Sequence, residues 1–529
     1  MTAPSPPASA ASNWRYSSPG AFISLRLVLV TVALGVFINF YLGRRRQTRL
    51  DEAYGAQHGC KPVVPRVPYK WPLAIDLFKI QYDALRSGHT LEAFSKYINI
   101  EGTIKFEVFG GSGLIINDPK NIEAILSTHF EDYGLGSRRI GALPLLGEGI
   151  FTQDGTAWQH SRELIRRQFV RVQKQNLRDF TTHVDELVSA LADSAVDSAT
   201  VVNMQPYFTE FTLGTTTQLL FGEPHSVLPK ADRDALRESF DYASQIFGIR
   251  LRLADLAPLY NPPRFKKACK TVRDWATFFS DKAMRYKDTF GEEKASDKYS
   301  FLIDLWREMR DEELVRDQLL HILIAGRDTT AATIGWTFFH LVRNPDILAR
   351  LQKEVADVPR DEHVTREMIA RLPYLRCCLN ETLRLYPQLA VNVRFAVKTT
   401  ILPQGGGPDG RSPVLIPRGT GVGWSTYHLH RLESIYGRDA RVYRPERWED
   451  GELIKKAGLG GYVDFNAGPR ICLGKNFALM EISYAIIRIL QAFPNIRLPP
   501  GEQNLPVGEE LQDLSIILFP GEGVKVQLK

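Results

Sequence analysis

Apolar residues recur with the 3.6-residue period of a helix along most of the chain. The longest such pattern begins at Glu313 and ends before Asn344-Pro345, because a proline does not continue a helix. Between residues 205 and 263 the apolar helical pattern is interrupted by six prolines. Further helices are predicted over 154–174, 373–387 and 475–493.

Two stretches have the signals of strands instead. Residues 103–109 alternate polar and apolar side chains, and the region around them up to residue 116 is predicted to be β. In 394–424, two apolar runs flank Gly405-Gly406-Gly407-Pro408-Asp409-Gly410, which predicts a hairpin loop. The chain as a whole is therefore predicted to be mainly α with a small β region.

The N-terminal part contains a candidate membrane anchor. Ala21 to Leu42 is mostly apolar, and its length of about 22 residues is near the ~20 that span a bilayer as a helix. Arg44-Arg45-Arg46 follows directly and makes the C-terminal flank the more positive one. We therefore predict a disordered lumenal tail over 1–20, a transmembrane anchor over 21–43 and a cytosolic main domain. A cleaved signal peptide is the alternative, but no Ala-x-Ala-like site follows the apolar run.

The segment after the anchor reads as a connector. Residues 44–72 are basic and rich in proline, and the four prolines between Cys60 and Pro72 favour an extended, semi-rigid backbone. No repeat and no second linker follows Trp71 in the sequence, so we predict one catalytic domain over 73–529.

Composition narrows the class of protein. The net charge is +6 over 529 residues, and the sequence lacks the Lys/Arg blocks of a nucleic-acid-binding protein. Its five scattered cysteines are an odd number and do not form a disulfide framework, which fits a reducing compartment.

Cys472 lies in the most distinctive stretch of the chain, Phe465-Asn466-Ala467-Gly468-Pro469-Arg470-Ile471-Cys472-Leu473-Gly474. It precedes a predicted helix and follows Arg470 by two residues, and both features predict a lowered thiol pKa. Neither a zinc spacing nor the four thiolates of an iron–sulfur cluster accompany it. A lone thiolate on a glycine- and proline-rich loop suits the axial ligand of haem iron, whereas a lone cysteine is more often a small buried hydrophobe.

Polar residues interrupt the longest predicted helix at Ala325-Gly326-Arg327-Asp328-Thr329-Thr330. Glycine, aspartate and threonine are poor interior helix formers, and function commonly explains such a local cost. Gly326 would let a ligand approach the backbone, and Asp328 and Thr329 offer an acid and a hydroxyl for moving protons. The alternative is a threonine bonded back to its own helix beside a solvated aspartate.

Three further groups of polar residues share a helix face or a short segment. Trp158 and Arg162 are i and i+4, and Glu381 and Arg384 are i and i+3. Tyr443-Arg444-Pro445-Glu446-Arg447-Trp448 forms the third group. Nearby basic residues are either a solvated face or a docking patch for an acidic redox partner; they are Arg166, Arg167 and Arg171.

Together these motifs resemble the cytochrome P450 family, whose haem-thiolate signature Phe-x-x-Gly-x-Arg-x-Cys-x-Gly is filled at every fixed position by residues 465–474. The resemblance covers roughly residues 50–529 and implies that family's mostly helical fold after one transmembrane helix. It implies haem b (iron protoporphyrin IX) with Cys472 as the axial ligand of the iron. The other implied cofactor-binding residues are Trp158, Arg162, Arg394, Arg470, Phe465 and Gly468.

The same resemblance implies roles for the remaining motifs. Asp328 and Thr329 match the family's oxygen-activation motif and are the implied catalytic residues. Glu381, Arg384 and Arg447 are implied to form one buried network that holds the cysteine loop in register. The implied reaction is a monooxygenation, with electrons from NADPH through NADPH–cytochrome P450 reductase and cytochrome b5 as a further donor.

Several phrases resemble, more narrowly, the fungal branch that hydroxylates n-alkanes and fatty acids: residues 54–62, 132–136 and 149–155, and Arg327 within the oxygen-activation motif. A lipophilic small-molecule substrate, membrane lipid and an endoplasmic reticulum location with a single-pass anchor are therefore expected. The alternatives are a hydroxylase of a fungal terpenoid or polyketide pathway, a peroxide isomerase that needs no reductase, and a non-catalytic haem sensor or carrier. Asp328 and Thr329 argue against the last two.

Overall fold

The computed structural model describes residues 19–98, 102–108, 111–172 and 178–529. The chain divides into two compact units, Met1–Cys60 and Lys61–Lys529. Their helices are α1 Pro19–Gln57, α2 Ile75–Arg86, α3 Thr90–Ile98, α4 Pro119–Glu123, α5 Arg138–Leu146, α6 Gly155–Val172, α7 Arg178–Ser194, α8 Gln205–Phe221, α9 Lys230–Leu253, α10 Pro263–Phe290, α11 Glu292–Lys298, α12 Ser300–Met309, α13 Glu312–Leu341, α14 Pro345–Val355, α15 Arg366–Ala370, α16 Pro373–Leu385, α17 Thr426–Leu429, α18 Glu433–Tyr436, α19 Glu452–Gly461 and α20 Lys475–Ala492.

The strands are short and lie mostly in the regions predicted to be β. They are β1 Thr103–Val108, β2 Gly111–Ile116, β3 Tyr133–Gly134, β4 Val202–Asn203, β5 Val391–Ala396, β6 Thr400–Gly406, β7 Ser412–Ile416, β8 Gly421–Ser425, β9 Gln512–Leu514, β10 Leu518–Pro520 and β11 Lys525–Val526. The prediction of a mainly α fold with a small β region is confirmed, including the hairpin of β6 and β7.

Among the described residues of the first unit, α1 is the only helix or strand. Its apolar side chains from Leu27 to Leu42 are exposed, and by length and composition the helix is able to cross a membrane. The predicted end of the anchor at residue 43 is not the end of the helix, because the basic residues that follow are good helix formers and no proline occurs before Pro62. The helical part of the predicted connector is therefore 44–57. Of the tail predicted over 1–20, residues 1–18 lie outside the described part of the chain, and residues 19 and 20 belong to α1.

The second unit is organised around α13. Asp311 caps this helix through its side chain, which accepts from the Leu314 N–H at 3.0 Å. From Asp317 to Phe338 every side chain of α13 is buried apart from Ala325, Gly326 and Thr329. α13 is thus buried on nearly all sides in the centre of the domain, and α8, α16 and α20 pack against it.

The main sheet has the strand order β1-β2-β8-β5-β3. β2 and β8 are parallel and the other neighbours are antiparallel. Pairing of Tyr133 with Ala396 places the segment before α5 beside β5. This pairing positions the N-terminus of α5 next to Arg394, although the two are about 250 residues apart in sequence.

The loop after α5 is held to α13 through its backbone. Three of its N–H groups donate to side chains of α13. The pairs are Glu148 with Asp317, Ile150 with Gln318 and Phe151 with His321, each at 3.1 Å. Gly147 and Gly149 lie so close to α13 that an added Cβ would be 1.9 Å from Asp317 Oδ2 and 2.7 Å from His321 Nε2.

Candidate active site

The cysteine loop joins α19 to α20 and contains a tight turn over Gly468–Arg470. The Cys472 N–H donates to the Phe465 carbonyl at 2.9 Å, and the Ile471 N–H donates to the Gly468 carbonyl at 3.0 Å. Gly468 has φ +63°, and a Cβ on it would lie 1.7 Å from the Leu126 carbonyl oxygen. Only glycine fits there, so this position of the motif is fixed by both conformation and packing.

Cys472 is solvent-accessible but closely surrounded by protein. Desolvation by this protein raises the pKa of the thiol above its ordinary value. The Gly474 N–H and the charges of Arg162 and Lys475 oppose this effect without overcoming it. The predicted lowering of the thiol pKa is therefore wrong for the chain by itself, because burial outweighs the helix N-terminus and the neighbouring cations.

Four arginines gather beside the loop. Arg470 donates to Asp154 Oδ1 at 2.6 Å and to the Gln153 carbonyl at 3.1 Å. Arg138 and Arg394 both donate to Asn392 Oδ1, at 2.8 and 2.9 Å. The fourth, Arg162, donates to the Ile471 carbonyl at 2.9 Å.

The electrostatics of this cluster are unbalanced. Desolvation, followed by the charges of Arg138 and Arg470, holds the pKa of Arg394 well below its ordinary value. Desolvation likewise lowers the pKa of Arg470 to about 10. Among the described residues, Asp154 is the only carboxylate paired with any of the four arginines. Four guanidinium groups and one carboxylate leave a formal excess of three positive charges, which calls for an anionic ligand.

Trp158 supports the same cluster from α6. It is buried, and its ring centroid lies 4.3 Å from Arg470 Cζ and 5.7 Å from Arg162 Cζ. Phe465 lies at the start of the same loop, with Lys475 Nζ 4.9 Å from its ring centroid. The predicted cofactor-binding residues thus lie in the cysteine loop or in the cluster beside it.

These residues fit haem. A solvent-accessible thiol on a rigid loop supplies one soft ligand, and the arginine excess suits the two propionates of a porphyrin. Sequence reasoning missed Arg138, Asp154 and Asn392, which no motif spacing connects. Two phrases of the sequence pointed to this region, because 132–136 ends two residues before Arg138 and 149–155 contains Asp154. The Leu135 N–H of the first phrase donates to Asp154 of the second at 2.9 Å.

Asp328 and Thr329 are both bonded within α13. Asp328 Oδ1 accepts from Arg327 Nη1 at 2.9 Å, and Thr329 Oγ1 donates to the Ala325 carbonyl at 2.6 Å. Desolvation raises the pKa of Asp328, against the opposing charge of Arg327. The structure therefore contains the back-bonded threonine of the alternative interpretation, but Asp328 is buried rather than solvated. Thr329 is one of the three partly accessible residues in the middle of the helix.

Gly326 has a packing role. A Cβ at this position would lie 2.8 Å from Thr216 Oγ1 of α8, so the glycine allows α8 and α13 to approach closely. The Thr212 hydroxyl of α8 donates to the Arg327 carbonyl at 2.7 Å, which adds a hydrogen bond between the two helices next to Gly326. The close approach expected of a ligand is made here by a neighbouring helix.

Glu481 of α20 is a buried acid that no sequence motif indicated. It is fully buried, one carboxyl oxygen accepts from the Thr215 hydroxyl of α8, and the other has no partner among the described residues. Desolvation raises its pKa to about 8, so the carboxyl group is mostly protonated at neutral pH.

Glu381, Arg384 and Arg447 form one buried network. Arg384 donates to both oxygens of Glu381 at 2.8 Å, and Arg447 Nε donates to Glu381 Oε1 at 2.8 Å. The Trp448 indole N–H also donates to Glu381, at 2.9 Å. Desolvation by itself would raise the pKa of Glu381, but the two arginines hold it below its ordinary value. The carboxylate is thus fully satisfied in the interior.

His430 connects this network to the cysteine loop. Its Nδ1 lies 3.1 Å from the Arg384 carbonyl, and its Nε2 lies 2.9 Å from the Val463 backbone nitrogen. A carbonyl needs a donor and an N–H needs an acceptor, so the ring is neutral with its proton on Nδ1. Desolvation lowers the pKa of His430 to about 3, which agrees with the neutral form. Val463 begins the segment that leads to Cys472, and sequence reasoning did not identify His430.

The basic residues of α6 are paired with acids. Arg166 donates to Glu163 at 2.9 Å, and Arg167 lies 3.4 Å from Glu308. Arg171 is bonded to Asp304 of α12. Of the two interpretations of this face, the solvated, ion-paired one is favoured, since its positive charges are matched locally.

Comparison with known proteins gives consistent matches. The family model described as Cytochrome P450 matches residues 65–525. A cytochrome P450 of Arthroderma benhamiae is 38% identical over 525 residues, which cover 96% of this chain and 99% of the relative. Cytochrome P450 52A13 of Debaryomyces hansenii is 37% identical over 469 residues, covering 84% and 88%. Cytochrome P450 52A5 of Candida maltosa is 38% identical over 443 residues, covering 80% and 82%.

Proposed function

The chain belongs to the cytochrome P450 family, and from that premise we propose that it hydroxylates long-chain n-alkanes or fatty acids at or near the end of the chain. The enzyme is a haem-thiolate monooxygenase, an oxidoreductase that inserts one oxygen atom of O2 into a C–H bond. The phrases 54–62, 132–136 and 149–155, which resemble the fungal alkane and fatty-acid hydroxylase branch, carry the substrate assignment.

The membrane anchor supports a lipophilic substrate. The exposed apolar side chains of α1 suit insertion into a bilayer, where alkanes and fatty acids concentrate. We assign the anchor to the endoplasmic reticulum membrane as a single pass, with the catalytic domain in the cytosol. This side follows from the arginines at 44–46.

Haem, when bound through the thiolate of Cys472, supplies the iron centre at which dioxygen is activated. We assign the haem propionates to the arginine cluster, whose excess positive charge they would offset. Trp158 shields Arg162 and Arg470 from water and so strengthens their attraction for an anion. The Glu381 network, through His430 and Val463, keeps the cysteine loop in register.

Asp328 and Thr329 are assigned to proton delivery. Desolvation makes Asp328 easier to protonate than a surface aspartate, and Thr329 Oγ1 is its partly accessible neighbour. Rotation of Thr329 about its Cα–Cβ bond breaks the hydrogen bond to the Ala325 carbonyl and allows the Thr329 hydroxyl to donate its proton to a reacting oxygen instead. Asp328 then returns a proton to the hydroxyl through water. Electrons come from NADPH through NADPH–cytochrome P450 reductase, with cytochrome b5 as a second donor.

Binding spectra with a panel of ligands test the substrate class. Each CH₂ removed from water contributes roughly 0.8 kcal/mol, so affinity should rise about fourfold per CH₂ until the pocket is full. Fatty acids and alkanes of increasing length are compared with a polycyclic terpenoid of equal carbon number. A spectral shift with the polycyclic compound and none with hexadecane or dodecanoate would assign the enzyme to a secondary-metabolite pathway.

The axial ligand is tested by Cys472→His. Imidazole is neutral and lacks the electron donation of a thiolate, so monooxygenase activity should be lost even if haem is retained. The reduced, carbon monoxide-bound protein should also lose its thiolate-type Soret band. An unchanged band would mean that another residue ligates the iron.

Proton delivery is tested with Thr329→Ala in a reductase-reconstituted assay. Haem content and NADPH consumption should persist, while product per NADPH falls and hydrogen peroxide is released. Thr333→Ala is the matched control, because its hydroxyl is bonded back one turn further along α13, to the Thr329 carbonyl at 2.8 Å. Equal coupling in both variants would assign protons to another route. NADPH-dependent oxygen consumption by the parent enzyme excludes the peroxide isomerase.

A further inference from the structure

Arg327 donates hydrogen bonds to two carboxylates on two different helices. It is almost completely buried in α13, and its Nη1 donates to Asp328 Oδ1 at 2.9 Å. Its Nη2 donates to Asp241 Oδ1 of α9 at 2.6 Å. The guanidinium carbon also lies 4.7 Å from the centroid of the Phe240 ring. Within the part of the chain that the structure describes, this is the only hydrogen bond or ion pair between α9 and α13.

The two carboxylates differ in solvation. The Asp241 side chain is 57% exposed, whereas that of Asp328 is 10% exposed. When the bond to Arg327 breaks, water can replace the guanidinium at Asp241, so the cost of breaking it falls on the buried Nη2 of Arg327. Asp328 has no such replacement in the interior and depends on Arg327 while it is charged.

Arg327 itself does not transfer a proton. A guanidinium stays protonated in proteins, so it acts only through its charge and the direction of its N–H groups. When Asp241 holds one side of the guanidinium, less positive charge acts on Asp328. Asp241 indeed raises the pKa of Asp328, in the direction opposite to Arg327. Glu210 of α8 also acts on Arg327 through its charge.

We propose that Arg327 is a positioning residue that divides its hydrogen bonds between Asp241 and Asp328, so that the contact with α9 sets how readily Asp328 exchanges a proton with Thr329. With the Asp241 contact made, Asp328 is held weakly and delivers protons. With the contact broken, Arg327 holds Asp328 as a carboxylate and proton delivery slows. The inference rests on the proposed role of Asp328. It implies that the position of α9 regulates the rate at which Asp328 delivers protons.

A purely structural ion pair is the competing explanation. In that case loss of Asp241 would weaken the packing of α9 on α13, and any loss of activity would be independent of Asp328. The two explanations differ in epistasis, because a positioning residue has no further effect once the group that it positions has been removed.

The test uses Asp241→Asn in the full-length holoenzyme with reductase and dodecanoate. Turnover should fall roughly tenfold, part of the 10²–10⁴ that general acid assistance supplies, and the solvent deuterium isotope effect should increase. In the Asp328→Asn background, Asp241→Asn should cause no further loss. Asp234→Asn is the matched control on the same helix, since it removes an exposed ion pair with Arg237 at 2.9 Å and does not involve α13.

An infrared measurement gives a readout without turnover. The carbonyl band of protonated Asp328 is identified by its loss in Asp328→Asn. In Asp241→Asn its titration should move to lower pH, because Arg327 and Asp241 are the charged groups that act on Asp328 among the described residues. Asp234→Asn should leave the titration unchanged.

The outcomes distinguish a failure of the proposed role of Asp328 from a failure of the proposed role of Arg327. If Asp328→Asn turns over as fast as the parent enzyme, the proposed role of Asp328 is wrong. If Asp328→Asn is slow but Asp241→Asn behaves like Asp234→Asn in both assays, Arg327 is not a positioning residue. An equal loss from Asp241→Asn in both backgrounds assigns the contact to structure alone. If dodecanoate is not turned over, the infrared titration decides.

Discussion

Replacing Glu481 with glutamine should remove a large part of the pH dependence of stability. The acid is fully buried between α20 and α8, and desolvation raises its pKa from 4.5 to about 8. One pKa unit corresponds to 1.36 kcal/mol, so the difference amounts to about 5 kcal/mol between the protonated and the ionised group.

The sign follows from proton binding. Between pH 4.5 and 8 the folded protein keeps the Glu481 proton while the unfolded chain releases it, so the free energy of unfolding falls as the pH rises. The contribution is complete below about pH 4.5 and is lost as the pH rises through 8. From pH 5.5 to 7.5 the loss should be about 2.5 kcal/mol. Glu481→Gln has no proton to lose at this position and should lack this slope.

The glutamine keeps the bond from the Thr215 hydroxyl, because its side-chain oxygen accepts as the carboxyl oxygen does. Its amide donors lack a partner and cost about 1–3 kcal/mol, but this cost is the same at every pH. Urea unfolding in detergent at several pH values, followed by circular dichroism and fluorescence, gives the difference between the two proteins. Glu452→Gln, an exposed glutamate on α19, is the control. Parallel curves for the parent protein and Glu481→Gln would refute the reasoning.

Other predictions concern the loop, the network and the anchor. Gly468→Ala should yield protein without haem, measured by the haem absorbance per chain, because its Cβ would overlap the Leu126 carbonyl. Arg447→Lys should destabilise the fold by about 3–5 kcal/mol in urea unfolding, since lysine has one donor group where Arg447 uses its three nitrogens on Glu381 and neighbouring oxygens. Deleting residues 1–43 should give detergent-free protein that still binds haem, and recovery as haem-free aggregate would contradict this.

Helix ends were predictable where proline sets them. α13 ends at Leu341 before Asn344-Pro345, and α16 begins at Pro373, because these limits are local properties of the sequence. The end of α1 was not predictable, because the apolar pattern marks the extent of a membrane span and not the extent of a helix. Residues 44–57 continue it because nothing in their sequence breaks a helix.

The site was predictable where motif spacing defines it. Cys472, Arg470 and Gly468 lie in one loop, and Glu381 and Arg384 share one turn of α16. Arg138, Asn392 and His430 were not predictable, because strand pairing and packing bring them together from distant segments. The thiol pKa was predicted in the wrong direction for the same reason, as desolvation depends on tertiary packing that local features do not reveal.

The loop between α5 and α6 has a consequence for how this enzyme tolerates sequence change. α13 holds it through backbone N–H groups, and these bonds do not depend on the side chains of Glu148 and Phe151. Among the described residues, those side chains make only an exposed ion pair with Arg139 and a ring contact with His321 at 5.5 Å. Most residues other than proline should be accepted at these two partly exposed positions, whereas Gly147 and Gly149 should accept none with a Cβ. A library for directed evolution should therefore retain more folded variants when it randomises Glu148 and Phe151 than when it randomises Gly147 and Gly149.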